Sequence, residues 1–450
     1  MEKKKQIDMT QGAIAKPMFV FILPLIEGSL FQQLYNTVDF IYVGNFMNET
    51  AAAAVGASSS LINCLVGFFS GASVGASIVI SQRIGAHKSD ETDSALHTAV
   101  SFGLIFGCFL MIIGLIFCIP ILKALNTPDS VIAEASLYMR VYMISLPFSF
   151  TYNMLTGAMR AWGDSKTPFN ILAVCGFLNV LMDALFIIVI PMGVLGVAIA
   201  TLISQGASCV MAVIASRKQG NPVVFSIKKL CIKWELLKQI LYIGLPAGIQ
   251  SVIITFSNMM VQYHINAYGE TAIAGFTSYY KVENLIYIPI MAIGQAATTF
   301  CGQNAGAKNY KRIQNGRYVI LGIGVAITLC ISGFILLFPN QVFGFFINSQ
   351  DVVEIGISLA KISFPFYWIY VFLEVFGGSV RALGYSISSM IVTIANICVL
   401  RVALLGIIDD TFHTVRSLAV VYPVTWGTSA LCFFIMSAIL VRKKIKSNIL

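Results

Sequence analysis

The sequence predicts an all-α membrane protein with twelve transmembrane helices arranged in two six-helix halves. Of the 450 residues, 57% are hydrophobic and only 11% are charged, whereas soluble domains have about 25% charged residues. Apolar runs of about 20 residues, the length needed to cross a bilayer, recur along the whole chain. Several short motifs also occur once in each half. A soluble fold would have to bury more apolar surface than two or three domains can, so that class is excluded.

The apolar runs define twelve predicted spans. They cover residues 15–44, 52–80, 95–118, 132–156, 167–190, 194–216, 238–265, 272–300, 317–338, 353–378, 386–408 and 416–441. An even number of spans places both ends of the chain on the same side of the membrane.

The distribution of positive charge predicts the orientation of the spans. Of the Lys and Arg residues in the loops, in the terminal segments and at the ends of the spans, 23 fall on one side, and only Lys123 and Arg416 fall on the other. The basic side is the cytoplasmic one, so both termini are expected in the cytoplasm of a multi-pass plasma (inner) membrane protein. This topology accounts for the net charge of +9, and no nucleic-acid partner is expected. The basic N-terminus leads into a long retained helix, without the short apolar region and cleavage site of a signal peptide.

Cysteine and histidine patterns indicate neither a disulfide framework nor a metal centre. Most of the ten cysteines lie in apolar segments without CxxC spacing, where cysteine behaves as a small hydrophobic residue. The four histidines are scattered. The sequence also contains no nucleophile elbow, HExxH motif or P-loop, so we expect neither an enzyme nor direct use of ATP.

The two halves resemble each other in sequence. Matching motifs are LP at Leu23–Pro24 and Leu245–Pro246, SQRIGAHK and GQNAGAKN, and RAWGDS and RALGYS, separated by 221 or 222 residues. Six helices per half give both halves the same orientation, and parallel repeats of this kind are typical of transporters with the substrate site between the halves. We predict an N-terminal lobe at 1–216, a cytoplasmic linker at 217–237 that includes an amphipathic helix on the membrane surface, and a C-terminal lobe at 238–450.

The first predicted helix carries two carboxylates, Glu27 and Asp39. A charge at the centre of a membrane costs at least about 2.5–3.5 kcal/mol and is by default a functional hypothesis. Tyr35 precedes Asp39 by one helical turn on the same face, and Asn36 lies beside that face. This face is therefore expected to look into the protein or into water. The role of Glu27 is left open, because it lies about 18 Å from Asp39 along the helix.

The fifth predicted helix carries Asn179 and Asp183 one turn apart. Together with Asp39 they would offer hard oxygen ligands, which suit Na⁺ or a bound proton. Two carboxylates in one buried site cannot both be charged cheaply, so one of them is expected to titrate near neutral pH. The alternative is that Asp183 pairs structurally with a cation such as Arg140 or Arg401. The acidic pair belongs to the first half alone.

The second half has its own charged residues within predicted spans. They are candidates for a substrate cavity or for ion coupling, and the acids among them could instead be neutralised by Lys281, Lys361 or Arg401. The cavity candidates in this half are Tyr279, Tyr280, Lys281, Glu283, Glu374 and Arg401, and those in the first half are Tyr35 and Asn36.

Taken together, the motifs LP…QQLYNTVDFIYVG, GASVGASIVISQRIGA, RAWGDSKTP, LNVLMDALFI, GVAIATLISQ and RALGYS resemble multidrug and toxic compound extrusion transporters over nearly the whole chain. The resemblance implies two six-helix lobes around a central V-shaped cavity, and export of drug-like, often cationic compounds in exchange for H⁺ or Na⁺. It also implies that Asp39, Asn179, Asp183 and Thr201 line an ion site in the N-terminal lobe. Some members couple ions through carboxylates of the C-terminal lobe, for which Glu283 and Glu374 are the candidates here.

The sequence thus predicts a secondary antiporter that exports cationic or amphipathic drug-like compounds in exchange for H⁺ or Na⁺. We expect a monomer in the lipid bilayer, with small organic cations as substrates and no cofactor besides the coupling ion. The alternative is a flippase for lipids or lipid-linked oligosaccharides, which shares this architecture. A flippase would be expected to have a more basic cavity for phosphate groups.

Overall fold

The computed structural model describes residues 7–47, 49–124, 127–346 and 349–447. The described residues contain long helices and no β-strand. The twelve long helices are α1 (Ala15–Phe46), α2 (Glu49–Gly85), α3 (Ser89–Ala124), α4 (Asp129–Ala161), α5 (Lys166–Val189), α6 (Val194–Ser216), α7 (Trp234–Asn266), α8 (Glu270–Gly306), α9 (Tyr310–Leu337), α10 (Gln350–Ala382), α11 (Ser386–Phe412) and α12 (Val415–Ser447). A short helix, Pro339–Gly344, precedes α10. The predicted all-helical membrane fold is confirmed.

Eleven of the helices in the described residues are long and apolar enough to cross a membrane. The exception is α4, which coincides with the predicted span 132–156. Its polar side chains, among them Ser145 and Tyr142, are buried because α4 packs against α2, α3 and α6. Polarity is therefore tolerated in α4 because neighbouring helices cover it.

The chain forms two compact units. The first consists mainly of Glu27–Gly244, and the second contains Asp8–Ile26 and the chain from Leu245 onward. The chain thus passes from one unit to the other inside α1 and again inside α7. Pro24 and Pro246 each lie within three residues of these crossing points, and a proline in a helix removes one backbone hydrogen bond. This division differs from the predicted lobe boundaries at residues 8–26, which lie in the second unit, and at residues 217–244, which lie in the first.

The backbone itself repeats between the halves. His87 and Lys308 are left-handed, with φ of 55° and 56°, and lie 221 residues apart. Gly163 and Gly384 show φ of 85° and 92° at the same separation. Residues other than glycine seldom adopt the left-handed conformation. Because such a residue occurs at both the α2–α3 and the α8–α9 turn, the internal repeat extends to details of the turns.

The linker at 217–237 is not an amphipathic helix. Its regular structure is a single 3₁₀ turn at Ile227–Lys229, and α7 begins at Trp234. The apolar side chains of Val223 and Phe225 are 5% and 2% exposed and pack into the first unit. The linker thus buries these apolar side chains in the first unit, instead of presenting them on one face of a helix at the membrane surface as the sequence pattern predicts.

Polar contacts fix the same linker to α3. His97 Nε2 accepts from the backbone N–H of Ser226 at 3.0 Å, and the His97 ring stacks on Phe225 at 5.3 Å. Farther along, the N–H of Lys233 donates to Thr98 Oγ1 at 3.2 Å. The linker is thus an integral part of the first unit.

The segment before α1 is held in a similar way in the second unit. Met9 is 1% exposed, and its carbonyl accepts from Asn304 Nδ2 at 3.0 Å. The guanidinium of Arg312 donates to three backbone carbonyls, those of Met9 at 3.0 Å and of Gln11 and Gly12 at 2.8 Å. We call residues 8–14 the N-terminal segment. It is clamped to α8 and α9 much as the linker is clamped to α3.

Candidate functional site

In the first unit, glycines bring α1 and α5 into close contact. A Cβ atom on Gly176 of α5 would lie 2.8 Å from Tyr35 Cδ1 and 2.9 Å from Phe31 Cε1 of α1. Two turns earlier on both helices, Gly28 of α1 faces Phe169 of α5. The contacts advance in the same direction along both helices, so α1 and α5 run parallel.

This packing places Asp39 of α1 beside Asp183 of α5. The two carboxyl groups lie close enough to interact directly, and Tyr138 of α4 lies near both. Asp183 is 1% exposed and Asn179, one turn earlier, is 4% exposed. The structure thus brings together three of the four residues expected to form an ion site.

Several polar atoms of this carboxyl pair lack a partner. Both oxygens of Asp183, Oδ1 of Asp39 and Nδ2 of Asn179 are buried without a hydrogen bond to any described residue. Arg140, one alternative partner of Asp183, is exposed, and no ion pair joins them among the described residues. Buried charge without a counter-charge is expensive. A bound proton or a small cation would stabilise such a pair.

Directly after Asp183 the helix widens. Residues Ala184–Val189 of α5 form a π-helix, and π-helical turns are rare and occur frequently at functional sites. A second π-helical stretch, Ile394–Leu400, ends immediately before Arg401 in α11. Each unit thus has a buried ionisable residue at the edge of a π-helix.

The remaining candidates of the first unit have other surroundings. Thr201 of α6 donates from Oγ1 to the Val197 carbonyl at 3.0 Å, which leaves the oxygen free to accept. Asn36 and Glu27 are exposed, and Tyr35 packs on α5. Tyr35 therefore helps to position the helix that carries Asp39.

The second unit contains a cavity between α7, α8, α10, α11 and α12. Its lining combines aromatic rings, two amides and a pair of opposite charges. The lining residues are Ile254, Asn258, Tyr280, Glu283, Asn284, Tyr287, Tyr370, Ile397, Arg401, Tyr422 and Trp426. Tyr280, Glu283 and Arg401 were candidates from the sequence. The others were missed, although Tyr280, Glu283 and Tyr287 share one face of α8 at spacings of three and four residues, which was a usable signal.

Neutral groups hold the two charged residues of the cavity. Arg401 is 3% exposed and donates from Nη1 to Asn258 Oδ1 at 3.1 Å and from Nη2 to Thr425 Oγ1 at 3.4 Å. Its guanidinium carbon lies 5.1 Å from the centroid of the Tyr422 ring. Glu283 accepts a hydrogen bond from the hydroxyl of Tyr367. Among the described residues, neither charge forms an ion pair.

Other charged candidates of the second half lie outside this cavity. Lys281 is exposed, because residues two positions apart on a helix point in different directions and Glu283 faces inward. Glu374 pairs with Arg381, with Oε2 and Nη2 3.6 Å apart, and not with the cations suggested by the sequence. Lys361 is exposed. Tyr279 is buried and shares a hydrogen bond of 2.9 Å with Ser363.

Comparison with known proteins agrees with this architecture. The family model MatE matches twice, at residues 24–185 and 246–406, once in each half. The probable multidrug resistance protein YpnP of Bacillus subtilis is 31% identical over 405 residues, which cover 88% of this chain and 89% of YpnP. The multidrug export protein MepA of Staphylococcus aureus is 24% identical, with 85% of both chains covered.

Among solved structures, an outward-facing multidrug resistance MATE family transporter of the MOP superfamily superimposes with a TM-score of 0.93. It is 23% identical, and the match covers 99% of this chain and 100% of that one. At 23% sequence identity, this structural similarity establishes the fold alone. Both family matches span the helices described above, and the prediction of a transporter, not an enzyme, is confirmed. This chain belongs to the MatE family of multidrug transporters.

Proposed function

We propose that the protein is a secondary antiporter that exports cationic or amphipathic small molecules, and that the carboxyl pair of Asp39 and Asp183 binds the coupling H⁺ or Na⁺. The observation that carries this proposal is the unsatisfied state of the pair. A buried carboxyl group, Asp183, and a half-buried one, Asp39, interact in the first unit, and no cation pairs with Asp183 in the described chain.

The free energy of the Asp39–Asp183 pair depends on whether a proton or a sodium ion is bound, which we call the loaded form. Two like charges about 4 Å apart repel by roughly 4 kcal/mol at an effective dielectric constant of about 20. A proton removes one of the charges. A sodium ion balances one of the two charges and attracts both carboxylates, and Asn179 Oδ1 and Thr201 Oγ1 are further oxygens that suit it. The loaded and empty forms of the first unit therefore differ in free energy by enough to favour different conformations.

The relatives support export of small molecules, since YpnP is named a probable multidrug resistance protein and MepA a multidrug export protein. The distribution of Lys and Arg supports a plasma membrane location with both termini in the cytoplasm. The aromatic residues of the second unit favour organic cations, which bind to ring faces. We propose a monomer as the working unit.

The test is transport in proteoliposomes with an imposed H⁺ or Na⁺ gradient. Wild type should move a fluorescent cation, such as ethidium, uphill under one of the two gradients, which identifies the ion. Asp183→Asn should lose this uphill transport but retain exchange of substrate for substrate without a gradient. Glu27→Gln is the matched control, because Glu27 is an exposed carboxylate on the same helix as Asp39, and it should behave as wild type.

Two results would contradict the proposal. Full gradient-driven transport by Asp183→Asn would move coupling away from the pair. If neither the H⁺ gradient nor the Na⁺ gradient drives transport of any cationic dye by the wild type, a flippase would be favoured instead.

A further inference from the structure

The cavity of the second unit holds an acid and a base that do not pair with each other. Glu283 is bound by the Tyr367 hydroxyl, and Arg401 by Asn258 and Thr425, which are all neutral groups. Nε of Arg401 is buried without a hydrogen bond to any described residue. A cavity built for a simple cation would need the acid but would gain nothing from a buried arginine.

The shape of α11 explains how the arginine is held there. Its π-helical stretch Ile394–Leu400 leads directly into Arg401. Within that stretch, the carbonyl of Ile397 accepts a hydrogen bond from the Ser257 hydroxyl of α7. The hydroxyl of Ser257 also lies 3.5 Å from Nη1 of Arg401. The guanidinium is thus fixed by the irregular backbone and its neighbours, as a preorganised anion-binding group would be.

Aromatic rings form another part of the lining. Tyr287 and Tyr370 have ring centroids 5.6 Å apart, and Trp426 lies 5.5 Å from both Tyr370 and Tyr422. Ring faces of this kind attract quaternary ammonium groups. The ring of Tyr422 already contacts the guanidinium of Arg401. Tyr287, Tyr370 and Trp426, together with the carboxylate of Glu283, therefore suit the positive end of a ligand, and Arg401 suits its negative end.

We infer that this cavity binds small zwitterions in which a quaternary ammonium group and a carboxylate are joined by a short link. The ligand carboxylate binds the guanidinium of Arg401, because hydrogen bonds between a guanidinium and a carboxylate are charge-assisted and strong. The ammonium lies against the ring faces and near Glu283. This inference rests on the proposed export function for the direction of transport, whereas the binding site itself does not depend on it.

Three probes of nearly equal size separate the contributions of the charges. Glycine betaine carries both charges, choline has the ammonium without the carboxylate, and 3,3-dimethylbutyrate has the carboxylate with an uncharged tert-butyl group. Calorimetric titration of the protein in nanodiscs of anionic lipid, without any ion gradient, should show glycine betaine binding at least about tenfold more tightly than either analogue. Equal affinity for glycine betaine and choline would overturn the inference without a variant being needed.

Variants then assign each end of the ligand. Arg401→Gln should reduce the affinity for glycine betaine to that for choline and leave choline binding unchanged. Glu283→Gln should reduce the affinity for glycine betaine to the affinity for 3,3-dimethylbutyrate. Lys281→Gln is the matched control, because Lys281 is a charged and exposed neighbour of Glu283 on α8, and it should change nothing. If Arg401→Gln weakens all three probes equally, while size exclusion and thermal unfolding show a folded protein, Arg401 is structural and the inference fails.

Two further measurements distinguish a lipid headgroup from a free solute as the ligand, and this inference from the antiport proposal. If phosphatidylcholine in the nanodisc competes with glycine betaine, the site belongs to a lipid headgroup and not to a free solute. Asp183→Asn should bind glycine betaine normally, since its effect is on coupling in the other unit. Normal binding of glycine betaine by a wild-type protein that neither gradient drives to transport would refute the antiport proposal and leave this inference intact.

Discussion

Arg312 Nη1 lies 2.8 Å from the carbonyl oxygen of Gly12, exactly 300 residues earlier in the chain. The same guanidinium reaches the carbonyls of Met9 and Gln11. A planar fork with five N–H groups can serve three acceptors at once, which an ammonium on a flexible chain cannot do with the same geometry.

Arg312→Lys should therefore destabilise the second unit although it keeps the charge. We expect a loss of roughly 1 kcal/mol, because hydrogen bonds to a charged group that is partly exposed contribute modestly. Thermal unfolding in detergent measures it, with Lys311→Gln as the control on the exposed neighbouring position. An unchanged midpoint for Arg312→Lys would show that the N-terminal segment is held by its other contacts, those of Met9 with Gln303 and Asn304.

Gly176→Ala should disturb the carboxyl pair from a distance. The added methyl group would lie 2.8 Å from the Tyr35 ring and 2.9 Å from the Phe31 ring, so α1 must move away from α5. Gradient-driven transport should fall by several-fold while the protein stays folded. Gly206→Ala in α6 meets no atom within 4 Å and should be neutral or slightly stabilising, by about 0.4–1 kcal/mol. Equal activity of the two variants would refute the role of this contact.

Asp183→Asn should unfold at a higher temperature than wild type in the absence of the coupling ion. The substitution removes the repulsion between the buried carboxyl group of Asp183 and the half-buried one of Asp39, and functional sites commonly cost stability. Wild type should gain stability when the coupling ion is added, because ligand binding to the folded state stabilises it, whereas the variant should not. A wild type that is already more stable than Asp183→Asn without the ion would indicate that the pair is a structural contact.

Tyr268 lies between α7 and α8 and donates a hydrogen bond to Asp409. Burial, together with this bond and the charge of Asp409, raises the pKa of Tyr268 to about 12. A tyrosine whose pKa is raised in the folded state stabilises the protein fully below the unfolded pKa of about 10, and this contribution is lost as the pH rises from about 10 to about 12.

Tyr268→Phe should therefore lower the unfolding temperature at neutral pH, by the loss of about one hydrogen bond of 0.5–1.5 kcal/mol. The difference between wild type and variant should shrink between pH 10 and 12, as followed by unfolding scans across this range. A difference that stays constant up to pH 12 would show that the Tyr268 hydroxyl ionises no later in the folded protein than in the unfolded one.

The carboxyl pair could be anticipated from sequence because its signal is local and costly. Asn179 and Asp183 share a helix face by simple spacing, and a carboxylate such as Asp39 in an apolar run demands an explanation. The register that joins α1 to α5 depends on Gly176 and Gly28, which the sequence marks only as two glycines among 36. Proximity between distant segments is a tertiary property, and the sequence could support it only through a family resemblance.

The cavity of the second unit was harder to predict because adjacency in sequence is misleading on a helix. Lys281 and Glu283 are two residues apart and point in different directions, so the suggested pairing is absent. Glu374 pairs with Arg381, seven residues later and two turns along the same helix, although Arg381 lies between the predicted spans 353–378 and 386–408. The π-helices of α5 and α11 have no sequence signature, since they arise from packing between helices.

The clamp on the N-terminal segment sets the order in which the protein can be completed during synthesis. Gly12 leaves the ribosome 300 residues before Arg312, its partner. At about 5–20 residues per second, the first part of α1 waits roughly 15–60 s before α8 and α9 exist to receive it. The first unit can assemble as it emerges, whereas the second closes only when the N-terminal segment meets Asn304 and Arg312, which are made much later. A ribosome stalled before residue 300 would therefore hold a chain whose N-terminal segment has no place to dock.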